Sequence, residues 1–291
     1  RYEPTPMNSD DPQTVLDALL LRCHETRTSF GDGHVVWRTW GEADPVRPTL
    51  VLLHGGSGAW NHWVRTIPVF EANYRIIAPD LPGCGDSDLP PQPIDAESLA
   101  SILSDGLDKV VPDDRAFDLV SFSFGGLLSG LVARAQARRI LSLTIVGSPI
   151  LGLNRDGPAN DLTSVPPGLS QQEAAPIYRS NLEKLMVRNP ERIDDLAMTM
   201  HMANMARVRL RSRGIARRSK MADTLRDLPC RMNFIFGEGD VTLWPDLAGI
   251  RDYVQENHPD STVHVIPEAG HWVQYESPEA FNTLLMRVLA E

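Results

Sequence analysis

A doubly wound, mostly parallel α/β sheet carrying an inserted helical segment is the fold class that this 291-residue sequence predicts. Short apolar runs of strand length recur along the chain. They are continuous instead of alternating, as expected for strands covered on both faces. Helix patterns separate several of them, which implies parallel strands joined by crossovers. The alternation then breaks for about 80 residues between Pro149 and Pro229 before it resumes.

Each element has its own signal. Residues 27–30 and 34–40 flank Gly31-Asp32-Gly33 and read as a hairpin at one edge of the sheet. Strands follow at 49–53 and 74–78. Asp95 caps a helix carrying Leu99, Ile102, Leu103 and Val110 on one face. The strand at 117–120 runs into a helix marked by Leu127, Leu128, Leu131 and Val132, and further strands are expected at 143–146, 232–236 and 262–266. Ser277 is expected to cap a last helix with Pro278 in its first position and Phe281, Leu284, Leu285, Val288 and Leu289 along one stripe. The interruption offers a loop rich in glycine and proline (152–168) and then helices at 171–188, at 190–210 with Pro190 in the first position, and at 215–226. The expected division is therefore a core of residues 1–149 and 229–291 and a helical insertion of residues 150–228. An insertion of that length in a sheet is usually functional, often a lid.

Composition narrows the function. The chain is 42% hydrophobic with a net charge of −10, so long-range attraction to nucleic acid or anionic lipid is not expected. No apolar run approaches the roughly 18 residues of a membrane span. Cys23, Cys84 and Cys230 are too few and too scattered for a disulfide framework or a zinc site, which fits a reducing, cytoplasmic compartment. Residues 2–12 are polar and proline-rich, without the apolar stretch of a signal peptide. No metal-ligand spacing and no complete phosphate loop occurs, so neither metal nor cofactor is expected. The expected partner is a small molecule, and the protein a monomer or homodimer.

The chemistry-bearing signals sit where strands end. Ser121-Phe122-Ser123-Phe124-Gly125-Gly126 places a serine between an apolar strand and a helix. A tight turn there exposes the Oγ, and the helix start behind it offers N–H donors to developing negative charge. The usual G-x-S-x-G has its first glycine replaced by Ser121, still a small residue. The strand at 49–53 ends in His54-Gly55-Gly56-Ser57-Gly58, where a glycine turn can point a free N–H into a cleft. The N–H groups of Gly56 and Phe124 would form a two-donor oxyanion hole. Two more strands lead into Gly237-Glu238-Gly239-Asp240 and Ala269-Gly270-His271-Trp272. Parallel α/β sheets bind ligands at the carboxyl ends of their strands, so Ser123, Asp240 and His271 are delivered to one edge.

The order Ser…Asp…His with an upstream HG loop resembles the α/β-hydrolase family. Leu81-Pro82-Gly83-Cys84-Gly85-Asp86-Ser87-Asp88 also looks like that family's D-x-P-G-x-G-x-S loop, so the resemblance covers roughly Arg38 to the C-terminus. It implies Ser123 as nucleophile, His271 as its base, and an acid that holds the imidazole. Similarity to the family's G-x-x-D loop favours Asp240 as that acid, with Glu238 as the alternative. The insertion resembles the family's helical cap. By position, Ser57, Phe122 and Trp272 are expected in the substrate pocket. His54 is expected to turn back onto loop backbone, while His24, His34, His62, His201, His258 and His264 have no supporting neighbours.

The leading expectation is a serine hydrolase of small to medium carboxylic esters working through an acyl-enzyme. The run Gly270-His271-Trp272-Val273-Gln274-Tyr275-Glu276 resembles the G-H-W-x-Q-x-E of C–C hydrolases that cleave vinylogous diketones, which is the second reading. A weakly catalytic ligand receptor and an acyl transferase are further uses of the fold. A dehalogenase or epoxide hydrolase would carry aspartate in place of Ser123. The cap also holds Arg207, Arg209, Arg211, Arg213, Arg217, Arg218 and Lys220. Their near-alternating spacing is expected to spread them around a solvated helix, although one reaching inward would hold an anionic group.

Overall fold

The structure, a computed structural model, describes residues 11–41, 47–112, 115–152, 157 and 161–291. The polar, proline-rich stretch 2–12 falls almost wholly outside them, as does part of the 152–168 loop. Eight strands form one sheet in the order β1-β2-β4-β3-β5-β6-β7-β8. The hairpin is β1 (His24–Phe30) and β2 (Gly33–Trp40), and β2 pairs antiparallel with β4 (Arg75–Pro79). Every other pairing is parallel: β3 (Thr49–Leu53), β5 (Phe117–Phe122), β6 (Ile140–Val146), β7 (Arg231–Gly237) and β8 (Thr262–Ile266) complete the sheet.

The continuous apolar runs are explained by two cores, one on each face. Along β3, Val51 and Leu53 enter the core shared with Leu103 and Leu128, while Leu50 and Leu52 enter the one shared with Trp63, Phe281 and Leu285. Helix α3 (Ala96–Val110) is capped by Asp95, whose carboxylate accepts the Ser98 N–H at 2.8 Å. It packs with α4 (Phe124–Ala135) on the first face. An N-terminal helix absent from the sequence reading, α1 (Pro12–Leu20), buries Leu16 and Leu19 in the second core. Short α2 (Ile67–Phe70), α9 (Leu247–Asn257), short α10 (Val273–Glu276) and α11 (Pro278–Ala290) complete the layers around the sheet; Ser277 stands at the cap position of α11, but its side chain makes no capping hydrogen bond.

Between β6 and β7 the helices are shorter than expected. α5 (Gln171–Leu185) opens on a capping box of Ser170 and Glu173. Pro190 does not start the next α-helix. Asn189 accepts the Glu191 N–H and closes a three-residue 3₁₀ turn, and α6 (Asp195–Arg207) begins at the fresh cap of Asp194. It stops at Arg207 because the N–H groups of Arg209 and Leu210 both donate to the Gly83 carbonyl, at 2.8 and 3.0 Å. The expected helix at 215–226 is two single-turn pieces, α7 (Ser212–Ala216) and α8 (Met221–Thr224). The arginines beyond 207 are thus spread along an extended strap and a short turn, not around one helix. Buried Asn61 and Asn204 exchange amide hydrogen bonds of 3.1 and 2.8 Å and tie α6 to the 3₁₀ turn at Trp60–Trp63.

Candidate active site

Ser123 occupies the sharp junction of β5 and α4 with φ 51° and ψ −114°. A non-glycine residue in that region is strained, and such strain persists only where neighbours over-determine it. Three hydrogen bonds do so here. The Ser123 N–H donates to Val146 O at 2.9 Å, and its carbonyl accepts from the Gly126 N–H and the Ser148 hydroxyl, each at 2.9 Å. The two glycines answer to close approach. A methyl group on Gly125 would sit 2.6 Å from the His54 carbonyl oxygen, and one on Gly126 would collide with the Ser148 hydroxyl. Ser121, in the place of the motif's first glycine, is enclosed in the sheet, with its hydroxyl on Ser129 Oγ at 3.1 Å.

His271 follows β8, and its Nε2 lies 2.9 Å from Ser123 Oγ. Its Nδ1 lies 3.0 Å from each carboxylate oxygen of Asp240, on the loop after β7. An acid at Nδ1 fixes the tautomer with its proton there, so Nε2 carries the lone pair that faces the serine. Asp240 is oriented in turn by Thr242, whose N–H and hydroxyl both donate to Oδ1, at 2.9 and 2.7 Å. Glu238, the alternative acid, points to solvent and pairs with Arg188 at 2.6 Å. The hydrogen bond from Arg188 holds its carboxyl below the usual range.

The backbone donors converge on the same place. Phe124 is the first residue of α4, so its N–H has no intrahelical acceptor. A methyl group on Gly56 would lie 3.5 Å from Phe124 Cβ, which sets the two residues side by side. His54 turns back as expected. Its Nε2 accepts the Leu81 N–H at 2.8 Å, leaving an Nδ1–H to donate to Gly55 O at 2.7 Å.

A cavity of about 820 Å³ opens over these groups, with Gly56, Ser57, Phe122, Ser123, Phe124 and His271 among its walls. That is within the usual range for small-molecule sites. Trp272 is a correction. It is not a wall residue but sits behind the cavity, 1% exposed, donating to His62 O at 3.2 Å and stacked on Tyr275 at 4.2 Å. Its backbone points one way to follow His271, and its ring has only core to fill.

Sequence reasoning missed His62 and His201, which line the cavity. His62 Nδ1 accepts the Gly55 N–H at 3.3 Å, next to the candidate oxyanion loop. Burial, and then the nearby His54, His201 and His271, hold His62 well below the ordinary histidine range. Burial alone pushes His201 down to about 4. Glu276 was also missed as an individual. Buried at the end of G-H-W-x-Q-x-E, it accepts the N–H groups of Gly270, Arg188 and Asn189 at 2.6, 3.0 and 2.7 Å. It thereby joins the His271 loop to the end of α5, and that motif was the available signal.

Of other nucleophiles, the Cys84 thiol is enclosed and pushed by burial up to about 12. Among the described residues, no cluster of three or more His, Cys, Asp or Glu could hold a metal ion. Also among them, no helix is long and apolar enough to cross a membrane.

The sequence profile of the Alpha/beta hydrolase family matches residues 50–284, and the chain belongs to that family. It is 27% identical over 258 residues, covering 83% of this chain and 87% of the other, to a 2-hydroxy-6-oxononadienedioate/2-hydroxy-6-oxononatrienedioate hydrolase of Escherichia coli. It is 28% identical over 250 residues to the dihydrolipoyllysine-residue acetyltransferase component of the acetoin cleaving system of Pseudomonas putida. That match takes in 82% of this chain but spans only 63% of the longer relative. Among solved structures, naproxen esterase (carboxylesterase NP) of Bacillus subtilis superposes with a TM-score of 0.76 at 20% identity, over 96% of each chain. The protein is an α/β hydrolase.

Proposed function

We propose that the chain is a serine hydrolase of carboxylic esters acting through an acyl-enzyme. The observation that carries the reading is the unbroken contact chain from Ser123 Oγ through His271 to buried Asp240. A serine hydroxyl is a weak nucleophile and needs a base within hydrogen-bond reach. In the proposed cycle His271 Nε2 takes the Ser123 proton as Oγ bonds to the ester carbonyl carbon. The carbonyl oxygen becomes an oxyanion facing the N–H groups of Gly56 and Phe124. The imidazolium, steadied by Asp240, gives its proton to the departing alkoxide, and the C–O bond breaks to leave acyl-Ser123. Water then attacks, losing a proton to His271, and that proton returns to Ser123 as the carboxylic acid leaves. Residues 150–228 act as the cap over this site.

The test is a screen of 4-nitrophenyl esters of graded acyl length, with fluorophosphonate labelling and peptide mapping. The adduct is expected on Ser123 and on neither Ser121 nor Ser57. Ser123→Ala should lower kcat by several orders of magnitude with the fold kept, since the side chain is small. An adduct mapped elsewhere removes the reading.

C–C hydrolysis of a vinylogous diketone is the second reading, favoured by the similarity to the Escherichia coli hydrolase. Turnover of a dienol substrate well above that of any ester would select it.

A further inference from the structure

We propose that the cavity over Ser123 selects esters carrying a carboxylate a few bonds from the scissile carbonyl, held by Arg211 and Arg213. The inference rests on the serine-hydrolase reading and names its substrate class.

Five arginines of the basic run fall into two sets. Arg207 pairs with Asp86 at 3.0 Å, and Arg209 donates to the carbonyl oxygens of Gly85 and Ser87. Those two fasten the strap to the 81–88 loop. Past that anchor, Arg211, Arg213 and Arg217 line the same cavity as Ser123 and His271. No aspartate or glutamate is among the described residues of its wall. The side chains of Arg211 and Arg213 make no hydrogen bond or ion pair with any described residue. In a chain whose net charge is −10, this concentration of arginines is local.

The electrostatics point the same way. Burial first, and the neighbouring Arg217 second, lower the affinity of the Arg213 guanidinium for its proton. Both effects disfavour the cation, and an anion placed between the side chains would oppose both. Guanidinium offers a planar fork of donors that fits a carboxylate in bidentate fashion, with bonds stronger than neutral ones.

The distance to the reacting centre follows from Ser212, which lies between the two arginines. A methyl group on Gly56 would sit 2.5 Å from Ser212 Oγ, so the strap rests directly on the candidate oxyanion loop. A carboxylate bound by the flanking guanidiniums is then about one side-chain length from the ester carbonyl. The acidic half-ester of a short dicarboxylic acid spans that interval.

Matched substrate pairs test the proposal. Mono-(4-nitrophenyl) adipate has a free distal carboxylate, and 4-nitrophenyl methyl adipate has the same scissile bond without the charge. A second pair, 3-carboxyphenyl butyrate and its methyl ester, moves the carboxylate to the alcohol side. The expected result is a kcat/KM at least about tenfold higher for the acid of one pair, carried mainly by KM and shrinking as salt is raised. Arg211→Gln and Arg213→Gln should each lower the acid-to-neutral ratio by about tenfold. Arg251→Gln removes the same charge from an exposed position on α9 and should leave the ratio unchanged. A ratio of one or less in both pairs overturns the proposal, as does a ratio indifferent to both cavity arginines, or no turnover of either pair by protein that a fluorophosphonate labels at Ser123. If Ser123→Ala keeps the rates, the serine-hydrolase reading fails instead, whatever the ratio.

Discussion

At the scale of single residues, two neighbouring carboxylates two positions apart have different surroundings. Asp240 is 7% exposed and shared between Thr242 and the His271 imidazole, whereas Glu238 is exposed and bound to Arg188. In the proposed mechanism Asp240→Asn should lower kcat by about 10⁴, as in the reference triad, because the amide cannot hold the imidazolium. Glu238→Gln should leave kcat within a few-fold, and steady-state kinetics on one ester decides between them. His62 gives a second residue-level prediction. Its acceptor nitrogen holds the Gly55 N–H, and the next peptide carries the Gly56 donor. His62→Asn can keep an acceptor near the Nδ1 position, and His62→Leu cannot. The leucine variant should lose roughly 10- to 100-fold in kcat, a fraction of the effect of removing an oxyanion donor outright, and the asparagine variant should recover most of it. Equal losses in both would show that the ring matters only as packing.

At the scale of elements, the β5–α4 turn and the His271 loop are held by contacts from other segments. Gly126→Ala drives a methyl group into the Ser148 hydroxyl that supports the strained Ser123 carbonyl. Overpacking of this kind costs about 1–3 kcal/mol, so a lower midpoint in urea denaturation is expected. Glu276→Gln replaces an acceptor-only carboxylate by a group that presents an NH₂ to backbone donors. At least one of those N–H groups is then orphaned, for a loss of about 1–3 kcal/mol. Unfolding midpoints measured on Glu276→Gln and on the exposed control Glu279→Gln should differ accordingly.

At the scale of the molecule, buried histidines make acid the weak side of its stability. Burial lowers His54 and His62, and pushes His201 down to about 4. The unfolded chain takes up these protons near the ordinary histidine value, whereas the folded protein resists them. Between about 6.5 and 4 the unfolded state therefore binds more protons, and stability rises with pH. The contribution is fully present above 6.5 and is lost progressively as the pH falls towards 4. Melting temperatures across that window should fall in the parent protein, and less steeply in His201→Gln. An unchanged slope would show that His201 protonates freely in the folded state.

The sequence alone determined the strands, their parallel sense and the order in which Ser123, Asp240 and His271 reach one edge of the sheet. Those features are written in residues within a few positions of one another: an apolar run, a small-residue turn, a capping side chain. It also named Asp95, whose cap is seen as expected, because capping is local. Tertiary structure alone decided the features that depend on distant segments. The Arg209 and Leu210 N–H groups bond to Gly83, more than a hundred residues earlier, and that contact ends α6 and turns Arg211 and Arg213 towards the cavity. Asn204 meets Asn61, and Glu276 meets Arg188, across similar separations. The same packing leaves Trp272 behind the cavity and His62 and His201 in its wall. Side-chain periodicity specifies which face of an element is apolar. What that face meets is set by how the elements pack, and no local pattern encodes it.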